Sequence, residues 1–270
     1  MADLWTTDIL KIYQALDGQM RLAGGCVRDY LLNQKPCDID IATPLLPDEV
    51  MRRLKLSGIS TYPIARGHGV VAAEVSNQVF EITTLRRDVY GDTGQEQIQF
   101  ITDYQVDAVR RDFTINAMYL DRQNKLYDFV GGQEDLKHNQ VRFIGDPYVR
   151  MKEDPLRIFR YVRFWAQYGG EEPDENIIAF FPKIKEQSIS AGRLCKEFLK
   201  ILMCSRVIPA IERMNKEGML SRLIPKADVA ALEVFLKDCP DSDAETRLKI
   251  LSDGQITAVW KSVGSNFSKL

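Results

Sequence analysis

Asp38 and Asp40, in the run Cys-Asp-Ile-Asp-Ile, are the residues of this chain best suited to chemistry. On an extended backbone successive side chains alternate, so both carboxylates share one face while Ile39 and Ile41 turn towards a core. Two carboxylates side by side repel unless a cation lies between them. Hard oxygen ligands favour Mg²⁺, which takes one or two carboxylates together with substrate phosphates. By itself the pair fits a solvated strand end as well as a metal site. Its setting adds weight to the second reading. Upstream, Gly24-Gly25 makes a tight turn between a short strand, residues 21–23, and one or two helical turns over 27–32. Adjacent glycines let a backbone approach phosphate closely. The N–H groups opening the next helix, with Arg28 in its first turn, favour an anion. The segment is not a Walker loop, because no Gly-Lys-Ser/Thr follows.

These residues need a scaffold, and the pattern along the chain describes one. Residues 6–18 read as an opening helix. Short β-like runs follow at 70–75, 79–85, 98–101 and 117–120, with a helix over 44–56 between them. Residues 128–132 turn into a helical stretch at 133–137, and after Asp146-Pro147 the periodicity is helical. The fold class expected is α+β: an α/β head followed by an all-α neck and body. No internal repeat or low-complexity linker interrupts it.

Composition sets bounds. A chain of 270 residues holds one large domain or two modest ones. Its five cysteines (26, 37, 195, 204 and 239) include no Cys-X-X-Cys pair, so neither a zinc site nor a disulfide framework is indicated. No leader-like start and no apolar run of membrane-spanning length is present, and a cytoplasmic protein without a membrane partner is expected. A net charge of −2 argues against indiscriminate coating of nucleic acid. Charge is uneven, however: residues 183–213 carry seven Lys/Arg against three Asp/Glu, and residues 226–253 carry four against seven. A basic middle could track a phosphate backbone, or could simply be a pair of solvated helix faces.

Three blocks give the chain a resemblance. Gly24-Gly25-X-Val27-Arg28-Asp29 with Asp38-X-Asp40 comes first. Arg110-Arg111-Asp112-Phe113-Thr114-Ile115-Asn116-Ala117 is second, and Glu153-Asp154-Pro155-Leu156-Arg157, followed by Arg160 and Arg163, is third. In order and separation they resemble the class II tRNA nucleotidyltransferase and bacterial poly(A) polymerase family over roughly residues 20 to 200. The resemblance implies a polymerase-β-like nucleotidyltransferase head at 1–138, a base-recognising neck at 139–202, and a body at 203–270 with the family's helical tail largely missing. It implies CCA addition: CMP and AMP transferred from CTP and ATP to the tRNA 3′ end, with Asp38 and Asp40 holding Mg²⁺. Poly(A) synthesis and addition of only CC or only A are alternatives within the same chemistry. An inactive RNA-binding module is an alternative outside it.

Further site residues follow from the resemblance. Glu81 alternates with aliphatics in Val-Phe-Glu-Ile-Thr and matches the later-strand carboxylate that completes such metal sites, although it also suits a strand surface. Arg111, Asp112 and Asn116 correspond to ribose and triphosphate contacts. Residues 86–95 read as a loop of the kind linked to the switch from C to A addition. Here it is Gly-Asp-Thr-Gly-Gln at its centre rather than basic, which leaves A addition open.

The third block is informative on its own chemistry. On one continuous helix Glu153, Arg157, Arg160 and Phe164 fall within about 60° of one another. Asp154 is an acceptor and Arg157 a donor. Cytosine and adenine each present an amine donor beside a ring-nitrogen acceptor, whereas guanine and uracil present the reverse. One protein pair can thus admit CTP and ATP and reject GTP and UTP, because a wrong base leaves polar groups unpaired. Asp154-Pro155 also has the form of a helix cap. Arg160 and Arg163 are expected to meet phosphates or to pair with Glu153. His68 and His138 lie outside the blocks.

Overall fold

A row of aliphatic residues crosses the first half of the chain and organises it. Leu120, Leu22, Ile41, Ile82 and Val71 stand in register on five neighbouring strands, and each is at most 1% exposed. The computed structural model describes residues 4–90, 96–183 and 189–253. Its elements fall into two compact units, residues 1–137 with 142–144 and residues 138–141 with 145–270.

In the first unit the order is α1 (Thr7–Ala15), β1 (Arg21–Ala23), α2 (Gly25–Leu31), β2 (Asp40–Thr43), α3 (Pro47–Leu56), β3 (Ser60–Ala65), β4 (Val70–Val75), β5 (Gln78–Thr84), β6 (Arg86–Tyr90), β7 (Glu96–Phe100), α4 (Tyr104–Arg110), β8 (Met118–Leu120), β9 (Leu126–Asp128) and α5 (Gly132–Lys137). Seven strands form one sheet in the order β3-β4-β5-β2-β1-β8-β9, with β6 and β7 as a separate hairpin. Among the described strands of this sheet only β2 and β5 run parallel.

Local chemistry explains the boundaries. Thr6 caps α1 by accepting from the Ile9 N–H, and Ile9, Ile12 and Leu16 recur at helical spacing as its buried stripe. Pro47 opens α3, with Asp48 and Glu49 in the first turn and Arg53 and Lys55 in the last, which suits the helix dipole at both ends. Ser76 and Asn77 both take positive φ, the geometry of a two-residue hairpin turn between β4 and β5. The opposite face of the sheet packs Ala23, Ala42 and Tyr119 against Ala108 of α4, with Leu85, Ala117 and Ile144.

The second unit is helical: α6 (Pro147–Glu153), α7 (Leu156–Tyr168), α8 (Glu175–Ile178), α9 (Ala191–Leu202), α10 (Val207–Lys216), α11 (Met219–Leu223), α12 (Val229–Asp238) and α13 (Ala244–Leu251). Phe159, Val162, Phe198, Ile201, Ala210, Ile211 and Met214 are fully buried at the core of α7, α9 and α10. Arg206 closes the end of α7 by donating to the carbonyls of Trp165, Ala166, Gly169 and Gly170. The mixed sheet followed by helices is the α+β class expected from sequence.

Several elements differ from expectation. The loop expected over 86–95 starts as strand β6, paired residue for residue with β7. Gly91–Gln95, the centre of that expected loop, lies outside the described residues. Strand β3 and helix α4 were not legible from pattern. The helical block after Asp146 is broken between α6 and α7 at Asp154-Pro155, because Pro155 has no N–H for a continuing helix.

Candidate active site

The second row across the sheet, one residue out of step with the aliphatic one, is Tyr119, Ala23, Asp40, Glu81 and Ala72. Because side chains alternate, this row lies on the opposite face, and Asp40 and Glu81 are direct neighbours on the parallel strands β2 and β5. Asp38, expected to share the strand face with Asp40, is not on the strand. Strand β2 begins at Asp40, and Asp38 lies in the segment before it, exposed, with Ile39 half-buried and Ile41 buried. The three carboxylates still feel one another. Burial pushes the Asp40 carboxyl up, with Arg111 opposing and Asp38 adding to the rise. Burial, then Asp40 and Asp38, push up Glu81.

The three groups are hard oxygen donors, and a divalent cation among them would relieve their mutual repulsion. Among the described residues no three His, Cys, Asp or Glu side chains are arranged to hold a metal ion by themselves, so substrate phosphate would have to supply further ligands.

Beside the carboxylates stands a frame of arginines. Gly24 has φ 72° and ψ −126°, a conformation open to glycine alone, and its N–H donates to the Met118 carbonyl at 3.0 Å. A β-carbon there would lie 3.2 Å from Arg111 Nη1 and 3.8 Å from Asp40 Oδ2, so Gly24 gives the arginine room next to the carboxylate. Arg28, only 6% exposed, donates through Nη1 to Asn116 Oδ1 at 2.5 Å and through Nε to Asp29 at 2.9 Å. Arg111 donates through Nη1 to the Asn116 backbone carbonyl at 3.3 Å. Asn116 thus ties together two arginines from separate blocks. Asp112 is half-buried, and its Oδ1 accepts from the Phe113 N–H at 2.9 Å.

Asp107 is the residue the sequence reading missed. It is 1% exposed and accepts from Arg110 Nε (2.8 Å), Arg111 Nη2 (3.2 Å), the Tyr119 hydroxyl (2.7 Å) and the Arg86 N–H (3.1 Å). Burial works against its charge, but Arg111 and Arg110 outweigh it and hold the carboxyl below its ordinary range. The signal was available: Asp107, Arg110 and Arg111 have the i, i+3 and i+4 spacing of partners on one helix face. Nearby, burial pushes the Cys26 thiol up to about 12, which leaves it protonated and unreactive.

In the helical unit the third block takes a different form from the one expected. Glu153 ends α6 and Arg157 sits in the first turn of α7, so the stripe read as one helix face spans a break. Glu153 nevertheless pairs with Arg157 at 2.6 Å and with Arg150 at 2.7 Å. Asp154 is not one turn before Arg157 on a helix. It is the joint between helices, with Oδ1 accepting from the Leu156 N–H at 3.2 Å and Oδ2 from Arg193 Nη2 at 2.6 Å. Asp154 therefore does act in part as the cap that Asp-Pro suggests. An ionised carboxylate has about four acceptor positions, so capacity remains. Arg157 Nη1 makes both of that residue's contacts, to Glu153 and to the Arg150 carbonyl at 2.9 Å. Arg163 is held by Glu197 rather than Glu153, and Arg160 lies 5.5 Å from the centre of the Phe164 ring. His68 and His138 are exposed.

Comparison with known proteins bears on this geometry. The model of the poly A polymerase head domain matches residues 20–142, and that of the probable RNA and SrmB-binding site of polymerase A matches 174–230. The human mitochondrial CCA tRNA nucleotidyltransferase 1 is 41% identical over 195 residues, covering 70% of this chain and 45% of the relative. A CCA-adding enzyme of Bacillus pumilus is 33% identical over 216 residues, covering 74% and 53%. The chain spans about half the length of the curated relatives it matches. The Bacillus stearothermophilus CCA-adding enzyme, solved in complex with CTP, shares the fold with a TM-score of 0.70 at 23% identity, covering 99% of this chain and 70% of that one. Nucleotidyltransferases of this kind generally use divalent metal ions. No helix among the described residues is long and apolar enough to cross a membrane. With the three sequence blocks in place on the matching fold, the chain belongs to the tRNA nucleotidyltransferase and poly(A) polymerase family.

Proposed function

We propose that the chain is a template-independent RNA nucleotidyltransferase that adds CMP and AMP, from CTP and ATP, to the 3′ end of tRNA. The observation that carries this reading is the placement of Asp40 beside Glu81 on parallel strands, next to Gly24 and the arginines joined through Asn116. Asp38, Asp40 and Glu81 are the residues to hold magnesium, which supplies charge neutralisation on the triphosphate and a more acidic RNA 3′-hydroxyl. Gly24 and Gly25 keep the approach to the triphosphate open, while Arg28 and Arg111 offset its charge. Asp112 and Asn116 border the same frame and are assigned to the ribose side. Transfer joins the RNA 3′-oxygen to the α-phosphorus and releases pyrophosphate, so positioning and charge stabilisation are the main tasks of these residues.

Base selection falls to Asp154 and Arg157. The acceptor capacity left on Asp154 and the remaining N–H groups of Arg157 complement the amine and ring nitrogen of cytosine and adenine. Arg160 and Arg163 line the same helix and are assigned to phosphate contacts. A cytoplasmic setting fits five cysteines that are all free thiols.

The test uses tRNA transcripts ending before the CCA, after CC and after the full CCA, with labelled CTP and ATP. Ordered addition that stops after three nucleotides, lost in Asp38→Ala, is expected. Unlimited A tails would replace this reading with poly(A) synthesis, and an absence of incorporation would leave an RNA-binding module. The non-basic run at residues 91–95 favours addition of C alone as the second reading, which the transcript ending after CC distinguishes.

A further inference from the structure

Apart from the residues discussed so far, the helical unit presents an aromatic pair with a cation over each ring. Tyr148 on α6 and Phe180, two residues beyond α8, stack with centroids 4.8 Å apart and an interplanar angle of 28°. Lys152, one turn along α6 from Tyr148, places its ammonium 4.1 Å from the centre of the Tyr148 ring, and the Lys183 ammonium is 5.2 Å from that of Phe180. Tyr148 and its neighbour Val149 are exposed, as are both lysines. Among the described residues neither lysine meets a carboxylate. Five arginines of the same unit, Arg150, Arg157, Arg163, Arg193 and Arg213, each have one.

An exposed Tyr148 ring stacked on the half-buried Phe180, with two exposed lysines that meet no carboxylate among the described residues, is matched to a ligand that supplies flat rings and negative charge together. We propose that this surface binds an unpaired stretch of RNA. A base stacks on Tyr148 or Phe180 in place of the lysine, and the displaced ammonium moves to the adjacent phosphate. The exchange is favourable because base stacking on an aromatic face exceeds an exposed cation–π contact, and because neutralising a phosphate releases counterions. Every base has a π-face, so the contact is indifferent to sequence. The proposal extends the polymerase reading above and takes RNA as the substrate class from it. It adds residues on α6, outside the matched 174–230 segment, to the RNA surface. A protein partner would need its own carboxylates for the lysines, and that occupant is an alternative outcome of the test.

The experiment measures binding of a labelled single-stranded RNA and of a tRNA transcript by fluorescence anisotropy across a salt series. In Lys152→Gln/Lys183→Gln the affinity should fall about tenfold at moderate salt, and the salt slope for the single strand should drop by about 1.4. The KM for CTP should not change. Tyr148→Trp, which retains a ring, should lose emission on adding single-stranded RNA but not blunt duplex. Unchanged RNA affinity and slope in the lysine variant overturn the proposal, as does Tyr148→Trp emission indifferent to RNA; a pull-down of protein in that case marks a protein surface instead. Should the lysine variant melt early, the Tyr148→Trp readout decides alone. RNA binding is read here without incorporation, so a chain that binds RNA through this surface but adds no nucleotide refutes the polymerase reading only. Ordered addition with unaltered binding refutes this proposal only.

Discussion

Asp40 and Glu81 stand in register on the two parallel strands of the sheet, and although both residues keep an exposed edge, each has its carboxyl pushed up, first by desolvation and then by neighbouring acids. A folded-state pKa above the unfolded value contributes stability that is complete below the unfolded pKa and is lost as pH rises through the folded one. The metal-free protein should therefore lose stability as pH rises through and just above the ordinary carboxylate range. Asp40→Asn should flatten that loss and, since solvent screens these exposed groups, raise the neutral-pH melting temperature only slightly, by about 1 °C, while abolishing incorporation. Thermal melts with and without magnesium check this, and magnesium should stabilise the wild type more than the variant. A lower melting temperature for Asp40→Asn at neutral pH would count against a crowded site.

Asn116 holds Arg28 by its side chain and Arg111 by its backbone. Asn116→Ala removes the side-chain acceptor from a guanidinium that is 6% exposed, which should cost about 1–3 kcal/mol of stability. The larger effect should be kinetic: KM for both CTP and ATP rising about tenfold or more, with no change in preference between them. Steady-state incorporation and a urea titration separate the two effects.

Gly24→Ala places a β-carbon on a residue with φ 72° and 3.2 Å from Arg111 Nη1. A cost of about 1–3 kcal/mol is expected from the backbone alone. Displacement of Arg111 should raise KM for nucleotide beyond what the stability loss explains. A Gly24→Ala protein with wild-type nucleotide KM would remove Gly24 from the triphosphate site.

Asp154→Asn keeps an oxygen for the Leu156 N–H but replaces the other acceptor with a donor. The helix start should survive, with thermal stability close to wild type. The ratio of kcat/KM for CTP over UTP should fall by about 10–100-fold. An equal fall in kcat/KM for CTP and for UTP, leaving that ratio unchanged, would assign Asp154 a purely structural part.

The portion of this architecture legible in the sequence was the portion governed by local rules. Residues 70–75 are a short valine-rich apolar run and form β4, residues 79–85 alternate and form most of β5, and the stretch 44–56 contains α3 behind its proline. Strand β3 escaped because it lies at the sheet edge with most side chains exposed on both faces, so no alternation marks it, and Pro63 is tolerated only because an edge strand can spare an N–H. The site divided in the same way. The carboxylates and glycines could be read from spacing, whereas Asn116 as the joint between two arginines depends on a contact spanning 88 residues. Asp154 was read on a continuous helix because periodicity ran through Pro155, and the backbone chemistry of proline overrode that pattern.

The segment 142–144 has a consequence for where this chain can be cut. Those residues belong to the sheet unit although residues 138–141 belong to the helical one. Phe143 packs its ring 4.5 Å from that of Phe113 and forms a β-bridge with it, and Arg142 reaches back to Asp135. A catalytic fragment ended at Lys137, the last residue of α5, would strip the cover from Phe113 and leave Asp135 without its cation, immediately beside the block that holds Arg111 and Asn116. Limited proteolysis is therefore expected to release a stable piece only if it cuts after Ile144, and gene fusions or split versions of the protein have their natural seam there.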